Sequence, residues 1–225
     1  MSRALAAMLA LGVLAAPAPG WASGLEVRLG AFFPRAQSNL FDDTSELFTV
    51  EDEDWRGLSG GAEYSFGLAE HVEMALSIDG YSRERDTVYR DFVRENGSEI
   101  AQTLRLTIVP VGVSLRLLPT SRRQALTPYV TVGGDVFFYR YEEIGDFIDF
   151  FSDDLDISAD SFESDGAIFG GHAAAGLRVP VGDDFAITGE VRYQFAPRKR
   201  MGDDFRNNRI DLNGVSATLG FRLRF

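Results

Sequence analysis

The chain has 225 residues, of which 34 are acidic and 22 basic, so its formal net charge is −12. This acidity disfavours a nucleic-acid-binding role, which depends on a basic surface. The chain contains no cysteine, which excludes disulfide bonds and thiolate metal sites.

The first 22 residues are predicted to form a cleaved secretory signal peptide. Arg3 supplies the positive charge, residues 4–16 are apolar, and Gly20 and Ala22 place small residues at positions −3 and −1 of a cleavage site. The apolar segment is too short for a membrane-spanning helix, which needs roughly 20 residues. Residues 23–225 are then one exported domain, whose 21 basic and 34 acidic residues give a net charge of −13.

Eight segments of the exported domain alternate apolar with small or charged residues. In chain order they are residues 25–33, 58–66, 72–78, 103–117, 129–141, 167–179, 185–195 and 215–225. The last segment keeps the alternation over about 11 residues, which suits a tilted transmembrane strand, whereas soluble strands average about 5–6 residues. The apolar pattern of residues 103–117 changes phase near Pro110, where we expect a β-bulge.

The connections between these segments fall into two length classes. Residues 34–56, 83–102, 142–166 and 196–211 form long connections, and residues 68–71, 118–127 and 180–184 form shorter ones. This arrangement predicts an all-β fold, an eight-stranded antiparallel up-and-down transmembrane β-barrel with long loops at one rim and short turns at the other. We expect both termini in the periplasm and the acidic loops outside the cell.

Charged residues occupy the strand positions opposite the apolar face. We expect them to form an ion-paired network inside the barrel, made of Glu26, Arg28, Glu63, Glu73, Arg116, Asp135, Arg178, Glu190, Arg192, Arg222 and Arg224. Aromatic residues near the segment ends are expected in the interfacial girdles: Phe32, Phe33, Tyr64, Phe66, Tyr129, Phe137, Phe138, Tyr139, Tyr141, Phe185, Tyr193, Phe195 and Phe225.

These features together resemble a known family. The signal peptide, the eight alternating segments, the sequence of residues 128–134 and the terminal residues 221–225 are similar to small outer-membrane β-barrels of the OmpA/OmpW-like superfamily. The resemblance implies that Phe221, Leu223 and Phe225 form the signal read by the barrel-assembly machinery. It also implies an outer-membrane location in contact with membrane lipids.

The histidines offer little for catalysis. His71 lies in a predicted turn, and His172 lies in a Gly-Gly-His-Ala-Ala sequence with no serine two residues away. We interpret both as hydrogen-bonded structural residues. A lipid A-modifying barrel enzyme is kept as the least favoured alternative.

The connection 142–166 is strongly acidic and raises the question of a metal site. Asp154, Asp156 and Asp160 alternate like the early ligands of a calcium loop, but Ala159 stands where glycine is expected and Asp165 where glutamate is expected. We therefore expect no cofactor, with loose Ca²⁺ or Mg²⁺ association at the acidic loops as the alternative.

The last connection has the opposite charge. Arg198, Lys199, Arg200, Arg206 and Arg209 outnumber its acidic residues, and we interpret them either as a contact for lipopolysaccharide phosphates or as a solvated loop. Lipopolysaccharide binding that survives charge reversal of these five residues would refute the first interpretation.

Eight strands enclose a bore that side chains just fill, so a general porin is not expected. We expect a monomer with an envelope-structural or surface-interaction role, no catalysis and no nucleic-acid partner. The alternative is a narrow channel for small or hydrophobic solutes, as the OmpW-like resemblance implies, and single-channel conductance separates the two.

Overall fold

The computed structural model describes residues 23–120, 125–149, 156–205 and 208–225, with the backbone alone at 149, 156 and 203. The predicted signal peptide lies outside these residues. Eight long strands form a closed antiparallel barrel in the order β1-β10-β7-β6-β5-β4-β3-β2. They are β1 (Ser23–Pro34), β2 (Gly57–Ala69), β3 (Val72–Val93), β4 (Glu99–Leu117), β5 (Thr127–Asp149), β6 (Asp156–Val181), β7 (Phe185–Phe195) and β10 (Gly214–Arg224).

Four smaller elements lie in the connections. Helix α1 spans Asn39–Leu47, short 3-10 turns span Asp52–Trp55 and Asp203–Phe205, and β8 (Lys199–Arg200) pairs with β9 (Arg209–Ile210). No helix in the described part of the chain is long and apolar enough to cross a bilayer. We call one end of the barrel the turn rim, because it carries the short connections, the start of β1 and the end of β10. The opposite end is the loop rim.

An apolar belt surrounds the barrel on its outer face. Its side chains are exposed to a degree that water would penalise, with Leu58 at 84 % and Phe169 at 77 %. Both β7 and β10 contribute 11 residues, which is the length that a tilted strand needs to cross a bilayer. The predicted eight-stranded barrel is therefore confirmed. The belt includes Leu25, Val27, Leu29, Leu58, Val113, Leu115, Val130, Val132, Phe138, Phe169, Ile187, Val191, Phe195, Leu219 and Phe221.

Strands β3 to β6 continue well beyond the belt at the loop rim. Much of the predicted loops 83–102 and 142–166 is therefore strand, because β3 reaches Val93 and β6 begins at Asp156. The row Glu84, Arg105, Glu142 and Glu163 crosses four neighbouring strands in register, and Arg105 pairs with both Glu84 and Glu142. We call this projecting sheet the wall.

The prediction of a bulge at Pro110 was wrong. The register of β4 against β5 runs without a shift from Gln102 opposite Gly145 to Leu117 opposite Val130. Even-numbered residues of β4 face inward throughout, but Leu104, Leu106 and Ile108 do so beyond the belt and Ser114 and Arg116 within it. The apolar residues of β4 change from outward-facing to inward-facing positions because the surroundings of the strand change. Lipid covers the outside of the belt, and water covers the outside of the wall.

The inner face of the wall is covered by a compact apolar plug. It is built from α1, the 52–55 turn and the last connection, which pack Leu40, Phe41, Trp55, Phe205 and Ile210 against the strands. In α1 the buried residues Leu40, Phe41 and Thr44 lie on one face, as expected for an amphipathic helix. The plug closes the loop end of the bore.

The predicted girdle positions of several aromatic residues were wrong, because these residues have the inward-facing strand parity. Phe32, Tyr129, Phe137, Tyr139 and Tyr141 point into the barrel and are buried. Four of them join the apolar core at the loop end, whereas Tyr129 lies among the bore arginines. Phe33, Phe138, Tyr193, Phe195 and Phe225 are exposed on the outer face.

Candidate functional site

Within the belt, the bore is filled by an ion-paired network centred on Arg116 and Glu63. Arg116 Nη2 lies 2.8 Å from Glu63 Oε1, and neither side chain has any exposed surface. Arg28 binds the same glutamate at 3.0 Å and reaches Asp79 at 2.7 Å. Two arginines thus share one carboxylate at the centre of the barrel.

The network continues toward the turn rim through Glu73. Arg178 donates two hydrogen bonds to Glu73, of 3.1 and 3.0 Å, and Arg222 approaches the same carboxylate at 3.9 Å. The guanidinium carbon of Arg116 lies 4.4 Å from the ring centroid of Tyr129, in a cation–π contact.

Toward the loop rim the network ends at Arg192. This arginine binds Asp79 at 3.0 Å and Glu190 at 2.9 Å. On the inner face of β1, Glu26 accepts a 2.9 Å hydrogen bond from Thr188 of β7. Each charged side chain of the bore named so far therefore has a charged or polar partner within 4.0 Å.

Ten of the eleven residues expected in this network line the bore and are buried: Glu26, Arg28, Glu63, Glu73, Arg116, Asp135, Arg178, Glu190, Arg192 and Arg222. Arg224 differs, because its guanidinium donates to the carbonyl oxygens of Gly182 and Asp183 in the β6–β7 turn. It lies at the turn rim rather than in the bore.

Sequence reasoning missed Asp79, which binds both Arg28 and Arg192. It follows directly after the predicted segment 72–78, and it has the same strand parity as Glu73 and Ser77. Extending that segment by one residue would have found it.

His172 forms a buried pair with Asp135. The Nδ1 atom lies 2.7 Å from Asp135 Oδ2, and a Cβ atom on Gly133 would lie 2.6 Å from His172 Cε1, so glycine makes room for the ring. His172 Nε2 has no hydrogen-bond partner among the described residues, so this nitrogen is not hydrogen-bonded to a described hydroxyl. His71 Nδ1 lies 2.9 Å from the carbonyl oxygen of Leu118 at the turn rim.

A small cavity interrupts the packing between the network and the plug. Its volume is about 30 Å³, and Arg28, Asp79, His172, Glu190 and Arg192 are among its lining residues. Because one water needs roughly 10–15 Å³ of such space, this cavity has room for about two water molecules. It is far too small for a solute path.

A half-buried carboxylic acid, Glu143 of β5, lies beside the plug. Tyr141, which is fully buried, donates a 2.8 Å hydrogen bond to Glu143 Oε1, and its ring lies 6.1 Å from that of Trp55 and 5.5 Å from that of Phe205. Burial raises the pKa of Glu143 to about 7, although the hydrogen bond from Tyr141 acts in the opposite direction. This residue lies five positions beyond Phe138, outside the apolar belt.

The acidic residues considered for a cation do not converge on one point where the structure describes them. Asp154 lies outside the described residues, and Asp156 and Asp160 lie in strand β6. Residues four positions apart in a strand stand roughly 13 Å apart, too far to share one ion as loop ligands do. Among the described residues, no group of three or more candidate ligands could hold a metal.

The basic residues of the last connection are gathered by the β8–β9 hairpin. Arg198, Lys199, Arg200 and Arg209 are exposed there, and Arg206 lies outside the described residues. The three residues of the expected assembly signal, Phe221, Leu223 and Phe225, are exposed on the outer face near the turn rim. Their role in assembly stays a prediction.

Comparison with solved structures finds bacterial proteins that are similar to this chain. A major outer membrane protein of Thermus thermophilus has a TM-score of 0.54 and 11 % identity, with 92 % of this chain and 100 % of that one covered. Neisserial surface protein A has a TM-score of 0.50 and 11 % identity, with 91 % and 96 % covered. The N-terminal barrel domain of Pseudomonas aeruginosa OprF is 15 % identical, with a TM-score of 0.43 and 90 % and 97 % covered. These identities show the fold alone.

No curated protein sequence is significantly similar to the chain. The sequence profile described as the outer membrane protein beta-barrel domain, however, matches residues 4–225, which is nearly the whole chain. The predicted resemblance to outer-membrane β-barrels is thereby confirmed, and the location in the outer membrane follows from it. The chain belongs to the outer membrane protein beta-barrel domain family.

Proposed function

We propose that this protein is a closed-bore barrel with an envelope-structural and surface-interaction role and no catalytic activity. The closed bore carries the proposal. Arg116 and Glu63 fill the centre without exposed surface, the apolar plug covers the loop end, and the cavity between them is about 30 Å³. A solute crossing the bore would have to displace the buried ion pairs of the network and also the apolar plug.

The orientation proposed for the barrel places the loop rim outside the cell and both termini in the periplasm. Long connections at one rim and short turns at the other are the usual arrangement of outer-membrane barrels. The wall then projects from the cell surface.

The wall offers a surface suited to protein contacts. The ladder between β6 and β7 begins only at Gly171 opposite Phe195, so the β7-facing edge of residues 156–170 has no strand beside it among the described residues. The last connection lies beside part of this edge, where Lys199 Nζ donates to the Ala167 carbonyl and the Gly202 amide donates to the Ser164 hydroxyl. An unpaired edge can accept an extended segment of another protein by adding a strand.

The negative charge of this edge indicates the charge of a suitable partner. Asp160, Glu163 and Asp165 are exposed on β6, and only Glu163 has an ion pair, with Arg140 at 2.9 Å, among the described residues. An extended segment with basic side chains would complement it. The surface-interaction role therefore requires a partner of this kind.

The deciding experiment is single-channel recording of the mature protein in planar bilayers. We expect no discrete openings, even at high protein concentration. Openings of uniform conductance would overturn the closed-bore proposal and favour the narrow channel. Incubation with lipid A, followed by mass spectrometry of the lipid, tests catalysis separately. A modified lipid A that disappears with His172→Ala would contradict the non-enzymatic role.

A further inference from the structure

The β8–β9 hairpin presents basic side chains on a rigid support. Lys199 pairs with Ile210 and Arg200 with Arg209, and the Met201 amide donates a 3.0 Å hydrogen bond to the Asn208 carbonyl. Ile210 has no exposed surface, because it packs into the plug.

Two further hydrogen bonds fix the hairpin in place. Lys199 Nζ donates to the Ala167 carbonyl at 3.1 Å, and the Arg209 amide donates to Asn39 Oδ1 at 2.9 Å. The first contact ties the hairpin to β6, and the second ties it to the start of α1. The exposed arginines are thus carried by an ordered element.

Arg200 and Arg209 form an unusual pair. They lie directly opposite each other on the two strands, both are exposed, and neither has a carboxylate within 4.0 Å among the described side chains. Like charges in this position destabilise a strand pair. Arg198 contacts one carboxylate, the buried Asp211, at 3.7 Å. An anion between the two guanidinium groups would remove the repulsion.

The hairpin stands at the edge of the apolar belt. Arg198 follows three residues after Phe195, whose side chain is exposed on the belt, and Val215 returns to the belt on β10. Next to Arg200, Lys199 Nζ donates a hydrogen bond to the Ala167 carbonyl. Ala167 lies opposite Phe138, whose side chain is exposed on the belt, so the hairpin lies near the level where lipid headgroups begin.

We propose that the β8–β9 hairpin binds a phosphate group of the outer-leaflet glycolipid, lipid A, between Arg200 and Arg209. Directly opposed residues of an antiparallel pair have Cβ atoms about 4.5–5.5 Å apart, which lets two guanidinium groups reach one phosphate. Arginine suits this ligand, because its planar fork donates two parallel hydrogen bonds to phosphate oxygens. Arg198 and Lys199 add positive charge beside the site.

The proposal rests on the orientation proposed above, which places the loop rim in the outer leaflet. Its test does not use that orientation, because binding is measured in detergent micelles. A failure of lipid binding would leave the conductance result unchanged, and discrete channel openings would leave the lipid result unchanged.

The test measures how much hexa-acylated lipid A the folded mature protein retains, by native mass spectrometry from detergent. We expect the double variant R200E/R209E to lower the affinity about tenfold or more, because it removes two charge-assisted contacts. The control R56E/R140E has the same change in net charge at two exposed arginines of the loop rim, and it should bind like the unchanged protein. R200K/R209K keeps the charge but not the forked geometry, so its affinity should be intermediate.

Two further measurements identify the ligand group. Lipid A without its phosphates should bind as weakly to the unchanged protein as intact lipid A binds to R200E/R209E. Inorganic phosphate at millimolar concentration should not displace intact lipid A. Equal binding by R200E/R209E, by the dephosphorylated lipid, or full displacement by inorganic phosphate would each overturn the proposal. Migration on unheated gels verifies that each variant is folded, and R200Q/R209Q replaces R200E/R209E if the latter does not fold.

Discussion

Arg116 and Glu63 lie 2.8 Å apart in the middle of the bore, and both side chains are completely buried. Glu63 also binds Arg28 at 3.0 Å, so two guanidinium groups share one carboxylate. Removing one member of a buried ion pair typically costs more than the pair contributes, because the remaining charge stays buried without a partner.

The first prediction concerns this carboxylate. Glu63→Gln keeps the size of the side chain but leaves Arg28 and Arg116 without their shared anion, so we expect a loss of roughly 3–5 kcal/mol in the free energy of unfolding. Urea unfolding of the refolded protein in lipid vesicles measures it. Glu53→Gln is the control, because Glu53 is 73 % exposed and pairs with Arg56 at the surface, where such pairs contribute at most about 1 kcal/mol. Equal effects of the two substitutions would refute the role of the network.

The second prediction concerns the plug. Trp55 is the only tryptophan after the predicted signal peptide, and its buried ring lies 5.6 Å from that of Phe41. Phe41→Ala leaves a cavity beside it and should cost about 3–5 kcal/mol, with a red shift of the Trp55 emission. Leu47→Ala, at an exposed position of the same helix, should leave the emission unchanged. An unaltered spectrum in Phe41→Ala would show that the plug is not packed as described.

The third prediction concerns pH and Glu143. The pKa of this carboxyl is about 7 in the folded protein and near the usual glutamate value of 4.5 when unfolded, so the folded state binds the extra proton between these values. Its contribution to stability is complete below about pH 4.5 and is lost as the pH rises through 7, by at most about 3 kcal/mol. Trp55 fluorescence during urea titrations between pH 4.5 and 8 follows the change.

Glu143→Gln separates this group from the other carboxylates. The amide cannot ionise, so the variant should lack the decrease in plug stability between pH 4.5 and 7. Tyr141 can still donate its hydrogen bond to the amide oxygen. If the variant retains the full pH dependence, Glu143 is not its origin.

The fourth prediction concerns the height of the apolar belt. Val113 and Thr107 both face outward on β4, but Val113 lies in the belt and Thr107 lies in the wall, where its hydroxyl contacts Ser82 at 3.0 Å. Val113→Arg should destabilise the protein in vesicles by about 2–4 kcal/mol, whereas Thr107→Arg should change its stability by less than about 1 kcal/mol. A cost of similar size at both positions would place the membrane boundary elsewhere.

The eight strands and their outward faces could be predicted from the sequence, because lipid requires an apolar residue at every second position of a membrane-spanning strand. The buried charges could be predicted for the same reason, since Glu63 and Arg116 occupy the opposite parity. The pairing of these charged residues could not be predicted from the sequence. Glu63 and Arg116 come from β2 and β4, which are not neighbours in the sheet, and they meet only because the barrel closes.

Beyond the belt, the sequence pattern was ambiguous. A change of apolar phase at Pro110 has two physical causes, an extra residue in the strand or an exchange of lipid for water outside it, and only the uninterrupted register of β4 against β5 decided for the second. The plug likewise needed the tertiary structure, because Phe41, Trp55, Tyr141 and Phe205 come from four separate segments with no shared periodicity. The alternation along each strand thus determined the barrel, whereas the contacts among its long connections determined that the bore is closed.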